Sequence, residues 1–148
     1  MFLLDTNIVS EMRRPNPNLD VRTWIENKPN ELQFLSAMSL LEMTRGATRH
    51  PDPIQRDSIQ HWIDSTLRRW FEARMLMISA EIAGRAGIYM GVRERAGRPL
   101  SLPDALIAAT AIHHNFVLVN RNTKDFVNLP LDLYDPWTNR QTFGEKHR

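Results

Sequence analysis

The apolar positions of this chain change their spacing several times, and each change marks an element. Phe2, Leu3 and Leu4 run together and stop at the acidic Asp5, the pattern of a short buried strand. From Asp5 and Asn7 a short helix is predicted to end near Arg13-Arg14-Pro15-Asn16-Pro17, and Asn18 caps a second helix reaching about Asn27. Lys28-Pro29-Asn30 reads as a turn and Leu32 to Leu35 as a second strand. Ser39-Leu40-Leu41-Glu42 has the form of a capping box, with Ser39 as the cap of a helix toward His50. After the Pro51-Asp52-Pro53 break, Ile59, Trp62, Ile63, Leu67, Trp70 and Phe71 recur at the spacing of one helix face, which predicts the longest helix of the chain over Ile54 to Arg74. A brief apolar piece, Met75 to Ile78, leads through Ser79 into a further helix ending near Gly97, with Pro99 beyond it. These two helices are expected to pair as an antiparallel hairpin. Ser101-Leu102-Pro103-Asp104 opens the next helix, which finishes at His113, His114 and Asn115.

Phe116 to Val119 is a continuous apolar run with helical patterns before and after it, as expected of a central parallel strand buried on both faces. Asn120-Arg121-Asn122 closes it, a short helical turn covers Thr123 to Val127, and Leu131 to Tyr134 supplies a last, edge strand. The alternation predicts an α/β fold: a mostly parallel central sheet of four to five short strands flanked by helices, with a ligand crevice at the carboxyl ends of the strands. No repeat, low-complexity tract or glycine-serine linker divides the chain, so a single domain is expected over residues 1–148.

Composition changes this picture in two places. With no cysteine among 148 residues, disulfides, thiolate nucleophiles and thiolate metal sites are excluded, and any metal must take oxygen or imidazole ligands. The net charge is only +2, but 16 of the 19 basic residues are arginine, the side chain shaped for bidentate contact with phosphate. No apolar run is long enough for a membrane span or a secretory leader, so a cytoplasmic protein is expected.

The candidate chemistry lies in acids placed by the predicted elements. Asp5 follows the first strand and Asn122 and Asp125 follow the buried fourth one, while Glu42 and Asp104 enter helices beside the same sheet end. Four carboxylates converging there would repel one another and require a cation or protons, and oxygen-only ligands select Mg²⁺ or Mn²⁺. Each acid also has a structural reading. Asp5 serves as a helix cap or Asx turn, Glu42 as the acid of the capping box with Arg45 and Arg49 in reach, and Asp125 as the acid opening a short helix beside Lys124. Asp104 shares its helix face with the core-like Ile107, Ala108 and Ala111, where a carboxylate needs a partner.

Four stretches carry a resemblance that covers essentially the whole chain: MFLLDTNIVSEMRRP at Asp5, SLLEMTRGA at Glu42, LPDALIAATA at Asp104 and LVNRNTKDF at Asn122 and Asp125. In this order they resemble the PIN-domain ribonucleases, in particular the toxins of VapBC-type and FitAB-type toxin-antitoxin pairs, and Asp135-Pro136-Trp137 is similar to the terminal proline-aromatic segment of those toxins. The resemblance implies a metal-dependent endoribonuclease with a PIN-like fold. In it Asp5, Glu42 and Asp104 form the acidic metal triad, Asp125 joins them at a second ion or an attacking water, and Asn7 and Asn122 make polar contacts through metal-bound water. It also implies an RNA substrate, hydrolysed to a 5′-phosphate and a 3′-hydroxyl, a homodimer or toxin-antitoxin hetero-oligomer, and a small VapB- or FitA-like antitoxin that places an arginine over the pocket. Two positions depart from the pattern: Asn122 stands where many relatives have an acid, and Asn120 where a threonine or serine is common.

Other features change less. Setting aside the four candidate acids leaves 19 basic residues against 13 acids elsewhere, with Arg13, Arg14, Arg121 and Lys124 nearest the motifs as candidate contacts to an RNA backbone. His113 and His114 face different sides of a helix end and make no metal motif. The stripe Trp62, Leu67, Trp70 and Phe71 reads as core packing, Trp24 is undecided, and no aromatic-rich RNA platform motif is visible. Two further classes compete: a haloacid-dehalogenase-like phosphohydrolase with Asp5 as nucleophile, which predicts a second aspartate where Asn7 stands, and a non-catalytic RNA- or protein-binding module, which predicts loss of Asp5, Glu42 or Asp104.

Overall fold

Phe2–Leu4 forms β1 near the middle of the sheet, with Leu3 and Leu4 wholly buried. The structure is a computed structural model describing residues 1–145; residues 146–148 of the expected 1–148 domain lie outside the described residues. Six strands lie in the order β3-β2-β1-β4-β5-β6, where β2 is Gln33–Ser36, β3 Met75–Leu76, β4 Val117–Val119, β5 Leu133–Asp135 and β6 Arg140–Thr142. All neighbours are parallel except β5 and β6.

The sheet therefore has six strands rather than four to five, and β5 is not its edge. β6 was not anticipated because its three residues are exposed and carry no apolar alternation. Backbone pairing with β5 holds it, assisted by the Tyr134 hydroxyl, which donates to Asn139 Oδ1 at 2.8 Å. Beyond β6, Gly144 passes so close to the Leu131 backbone that a Cβ there would collide with it, an approach only glycine permits.

The helices are α1 (Thr6–Arg13), α2 (Leu19–Glu26), α3 (Ala37–Arg49), α4 (Pro53–Trp62), α5 (Arg68–Trp70), α6 (Ala80–Arg95) and α7 (Leu102–His114). A π-helical segment, Ile63–Leu67, joins α4 to α5. The expected 54–74 helix is thus broken internally, and the longest uninterrupted α-helix is α6, with 16 residues. Ile63, Leu67 and Phe71 nevertheless point one buried row at the sheet, as their spacing predicts.

Strand alternation divides the core between the two sheet faces. Leu3, Leu118 and Leu133 join Ile82 and Ala86 of α6 and the apolar side of α7. Leu4, Leu35 and Val119 join α1, α2, α3 and the row Ile63, Leu67, Phe71. This separation corrects the expected hairpin: α6 packs on α7, across the sheet from the 53–70 helical run. Asn115, with φ 55°, caps α7 in the left-handed conformation and turns the chain into β4.

The chain builds outward from β1 through β2 to β3 and then returns to the opposite side of β1 for β4. The strand order reverses at β1 and β4, so a crevice opens beyond their carboxyl ends. No helix among the described residues is long and apolar enough to cross a membrane.

Candidate active site

Asp5 sits at that reversal, 5% exposed, and has two structural duties there. Its Oδ1 caps α1 by accepting the Thr6 amide at 2.6 Å, and its Oδ2 accepts from the Asn120 side chain at the end of β4. The β1–β4 register continues into this pair, since the Asp5 amide donates to the Val119 carbonyl at 3.0 Å. The Asp5 carboxyl is raised from 3.8 to about 7, by burial first and by the charges of Asp104 and Glu42, against the lowering effect of the Thr6 and Asn120 hydrogen bonds.

Glu42 reaches the site from the second turn of α3, but not through a capping box. The cap of α3 is Ser36, whose hydroxyl accepts the Met38 amide at 3.1 Å; Ser39 lies inside the helix and is fully buried. Ser36 ends β2, so the strand hands over directly to the helix, and this early start frees Glu42 from the helix terminus. The Thr6 hydroxyl instead donates to Glu42 Oε1 at 2.8 Å and lies 3.0 Å from Ser39 Oγ. Thr6 was not singled out in the sequence. Its only signal there is its place directly after Asp5.

Asp104 is in the first turn of α7, its amide held by the capping Ser101 hydroxyl at 3.3 Å. Half-buried, its carboxyl is raised by burial first and by Asp125 second. Asp125 is exposed in a 3₁₀ turn, Thr123–Phe126, whose first bond runs from the Asp125 amide to the Asn122 carbonyl at 3.0 Å. Asp5, Glu42 and Asp104 thus share one field, whereas Asp125 acts on Asp104 and is not among the charges felt by Asp5.

The asparagines divide unexpectedly. Asn120, marked in the sequence only as a departure, ties the two central strand ends together: its amide group bonds Asp5 and its Oδ1 accepts the Asn122 amide. The Asn122 residue is exposed and contributes that amide. Asn7 Oδ1 is buried without a hydrogen-bond partner, one of two such side-chain atoms among the described residues. An orphaned buried oxygen calls for a donor or a cation.

The basic residues are similarly sorted. Arg14 donates to the buried Glu11 at 3.2 Å, and the Asn18 amide completes that clasp at 2.8 Å. Arg121 lies over the Trp137 ring, 5.0 Å from its centroid, while Lys124 is exposed. At the far end of α7, His113 faces Glu81 at 3.7 Å, away from the site motifs in the fold's α6–α7 layer.

Whether the residues fit a divalent cation is tested by their chemistry. The donor set is all oxygen, burial and like charges hold the buried Asp5 protonated up to about 7, a cation beside it would remove that penalty, and the orphaned oxygen of Asn7, two residues on, is one more unpartnered acceptor. These features fit a hard ion, although no three carboxylates or imidazoles among the described residues already surround one point.

A parallel sheet reversing at two strand ends, with the buried Asp5 and the partly buried Glu42 and Asp104 near the reversal, defines an acid-lined α/β domain. The chain belongs to the PIN-domain family, whose model matches residues 2–130. It is 28% identical over 137 residues to the VapC ribonuclease Y4jK of Sinorhizobium fredii, covering 93% of this chain and 98% of the relative. Its structure is similar to the crystal structure of FitAcB from Neisseria gonorrhoeae, with TM-score 0.84 and 27% identity over 93% of this chain and 99% of that one. A toxin-antitoxin complex from Klebsiella pneumoniae is similar at TM-score 0.63 and 27% identity, over 92% and 98% of the two chains.

Proposed function

We propose that this PIN domain is a divalent-metal-dependent endoribonuclease that serves as the toxin of a toxin-antitoxin pair in the cytoplasm. The observation that carries the reading is Asp5: a carboxylate buried between two strand ends, raised to about 7, and surrounded by the charges of Asp104 and Glu42. A group so placed is costly to ionise alone and becomes useful beside a cation. Its likeness to a VapC ribonuclease supports RNA as the substrate.

In this reading Asp5, Glu42 and Asp104 would hold Mg²⁺ or Mn²⁺, with Asp125 holding a second ion or orienting water, and Asn7 and Asn122 contacting metal-bound water. When bound, such an ion would supply positive charge against the phosphodiester and make a water more acidic. Thr6 positions Glu42 by its hydroxyl, and Asn120 holds Asp5 at the mouth of the crevice. No side chain needs to act as a covalent nucleophile, and membership of the PIN family replaces the haloacid-dehalogenase-like reading. The similarity to a toxin-antitoxin complex supports an antitoxin protein as the partner, and the assembly in this reading is a homodimer or a hetero-oligomer with that antitoxin.

Incubating purified protein with RNA, with and without Mn²⁺ and a chelator, tests the reading. Cleavage that needs the ion and is lost in Asp5→Asn is expected. Metal-independent cleavage surviving in Asp5→Asn refutes the assignment, and binding without cleavage by the wild type leaves the non-catalytic module.

A further inference from the structure

Away from the carboxylates, a cleft of about 800 Å³ crosses one face of the sheet, and none of the four acids lines it. Its floor comes from Phe2, Val117, Tyr134 and Gln141 of four different strands. α2 forms one wall and the Pro136–Asn139 turn the other. Three rings from distant parts of the chain meet here. Trp24 stacks on Tyr134 with centroids 5.3 Å apart, and Trp137 closes the end nearest the active site. All three are half-buried, so ring surface stays open to the cleft.

Trp137 connects this cleft to the carboxylate crevice. Arg121 lies over its ring at 5.0 Å, and Arg121 follows Asn120, whose side chain bonds Asp5. At the other end, Lys28 Nζ stands 5.9 Å from the Trp24 ring and 5.6 Å from that of Phe2. Two cations thus stand at opposite ends of an aromatic floor, against one carboxylate, Asp20, on the α2 wall. Between them the walls offer the amide side chains of Asn27 and Asn139 and the floor that of Gln141, which carry both donors and acceptors, although the Asn139 oxygen already accepts from Tyr134. An apolar peptide helix would leave those amides unpaired, whereas unstacked bases offer ring faces for stacking and edges for hydrogen bonds. The volume lies within the range of about 300 to 1,000 Å³ that takes ligands of nucleotide size.

We propose that this cleft binds single-stranded RNA flanking the scissile bond, with an unpaired base against Trp24 or Trp137 and the strand passing Arg121 into the carboxylate crevice. The inference rests on the ribonuclease reading for the direction of the strand. It makes the cleft a substrate-positioning surface that distinguishes long from minimal RNAs and single strands from duplex.

The test uses the full chain. In chelator, anisotropy of a labelled single-stranded oligonucleotide of about ten nucleotides reports binding, and Lys28→Glu and Trp137→Ala are each expected to weaken it about ten-fold, with Trp137→Phe retaining most of it. With Mn²⁺, the same two variants are expected to raise KM about ten-fold on that substrate and to leave kcat/KM unchanged on one of about four nucleotides, which also shows that they fold. Equal loss on both substrates, or no change on either, overturns the proposal. Unchanged RNA affinity accompanied by lost binding of a protein partner assigns the cleft to a peptide and also overturns it. Wild-type protein that binds through these residues but fails to cleave RNA with any divalent ion removes the nuclease reading and leaves the cleft; cleavage without this binding does the reverse.

Discussion

Asp5→Asn is expected to stop RNA cleavage and, in the same molecule, to stabilise the metal-free protein at neutral and alkaline pH. The folded-state carboxyl is raised from 3.8 to about 7, so folding favours the protonated acid. Asp5 therefore contributes fully below the unfolded value near 3.8, and its contribution is lost as pH rises through about 7. A rise of roughly three units corresponds to about 4 kcal/mol at full ionisation, an upper bound. Asparagine avoids that cost, caps helices about as well as aspartate and can accept from Thr6 through its Oδ1, but its NH2 then faces the Asn120 NH2 from which Oδ2 now accepts, a donor–donor conflict that subtracts about 1–3 kcal/mol at every pH. A net gain of about 1–3 kcal/mol at about pH 8, turning into a net loss near pH 4 where only the lost Asn120 hydrogen bond counts, is expected. Urea unfolding of both proteins in chelator across that range measures the difference. A variant less stable than wild type at the alkaline end, or a difference independent of pH, refutes the assignment of burial and like charge as the dominant forces on Asp5. Adding Mn²⁺ is expected to stabilise the wild type and leave the variant unmoved.

Thr6→Val removes the hydroxyl that holds Glu42 at 2.8 Å and is expected to reduce kcat about ten-fold with little loss of fold, since one hydrogen bond to a charged group is worth about 1.5–3 kcal/mol. Steady-state kinetics beside an unfolding curve separates the two effects. Glu11→Ala is expected to cost about 1–3 kcal/mol in urea, because the Asn18 amide and Arg14 lose their acceptor. The Glu11 carboxyl is held below its usual value chiefly by the Asn18 amide, so its stabilising effect is present above the unfolded value of about 4.5 and is lost as pH falls through the lower folded one. Asp125→Asn removes the charge that raises Asp104 and is expected to shift the acidic limb of the pH–rate profile downward, with a smaller activity loss than Asp104→Asn; equal losses would place Asp125 among the primary ligands.

The placement of Asp5 and Asp104 was legible because it follows from local rules. A short apolar run that ends in an acid delivers that acid to a strand end, and Asp104 follows a serine cap by a fixed helical distance. The row Ile63, Leu67 and Phe71 is likewise spaced to be buried. The local rules failed where a neighbour in space outranked a neighbour in sequence. Ser39 has the spacing of a cap, yet β2 ends in Ser36, which takes that place and leaves Glu42 to a hydroxyl 36 residues away.

The chain by itself determined its alternating elements, its buried runs and the acids that stand at their ends, because these depend on side-chain period and capping within a few residues. Only the tertiary structure decided that β4 returns beside β1, that Asn120 reaches Asp5 across 115 residues, and that Trp24, Tyr134 and Trp137 share one cleft. The physical reason is that pairing order and chain crossover are selected by the packing of both sheet faces at once, and no local pattern of apolar and polar residues carries that information.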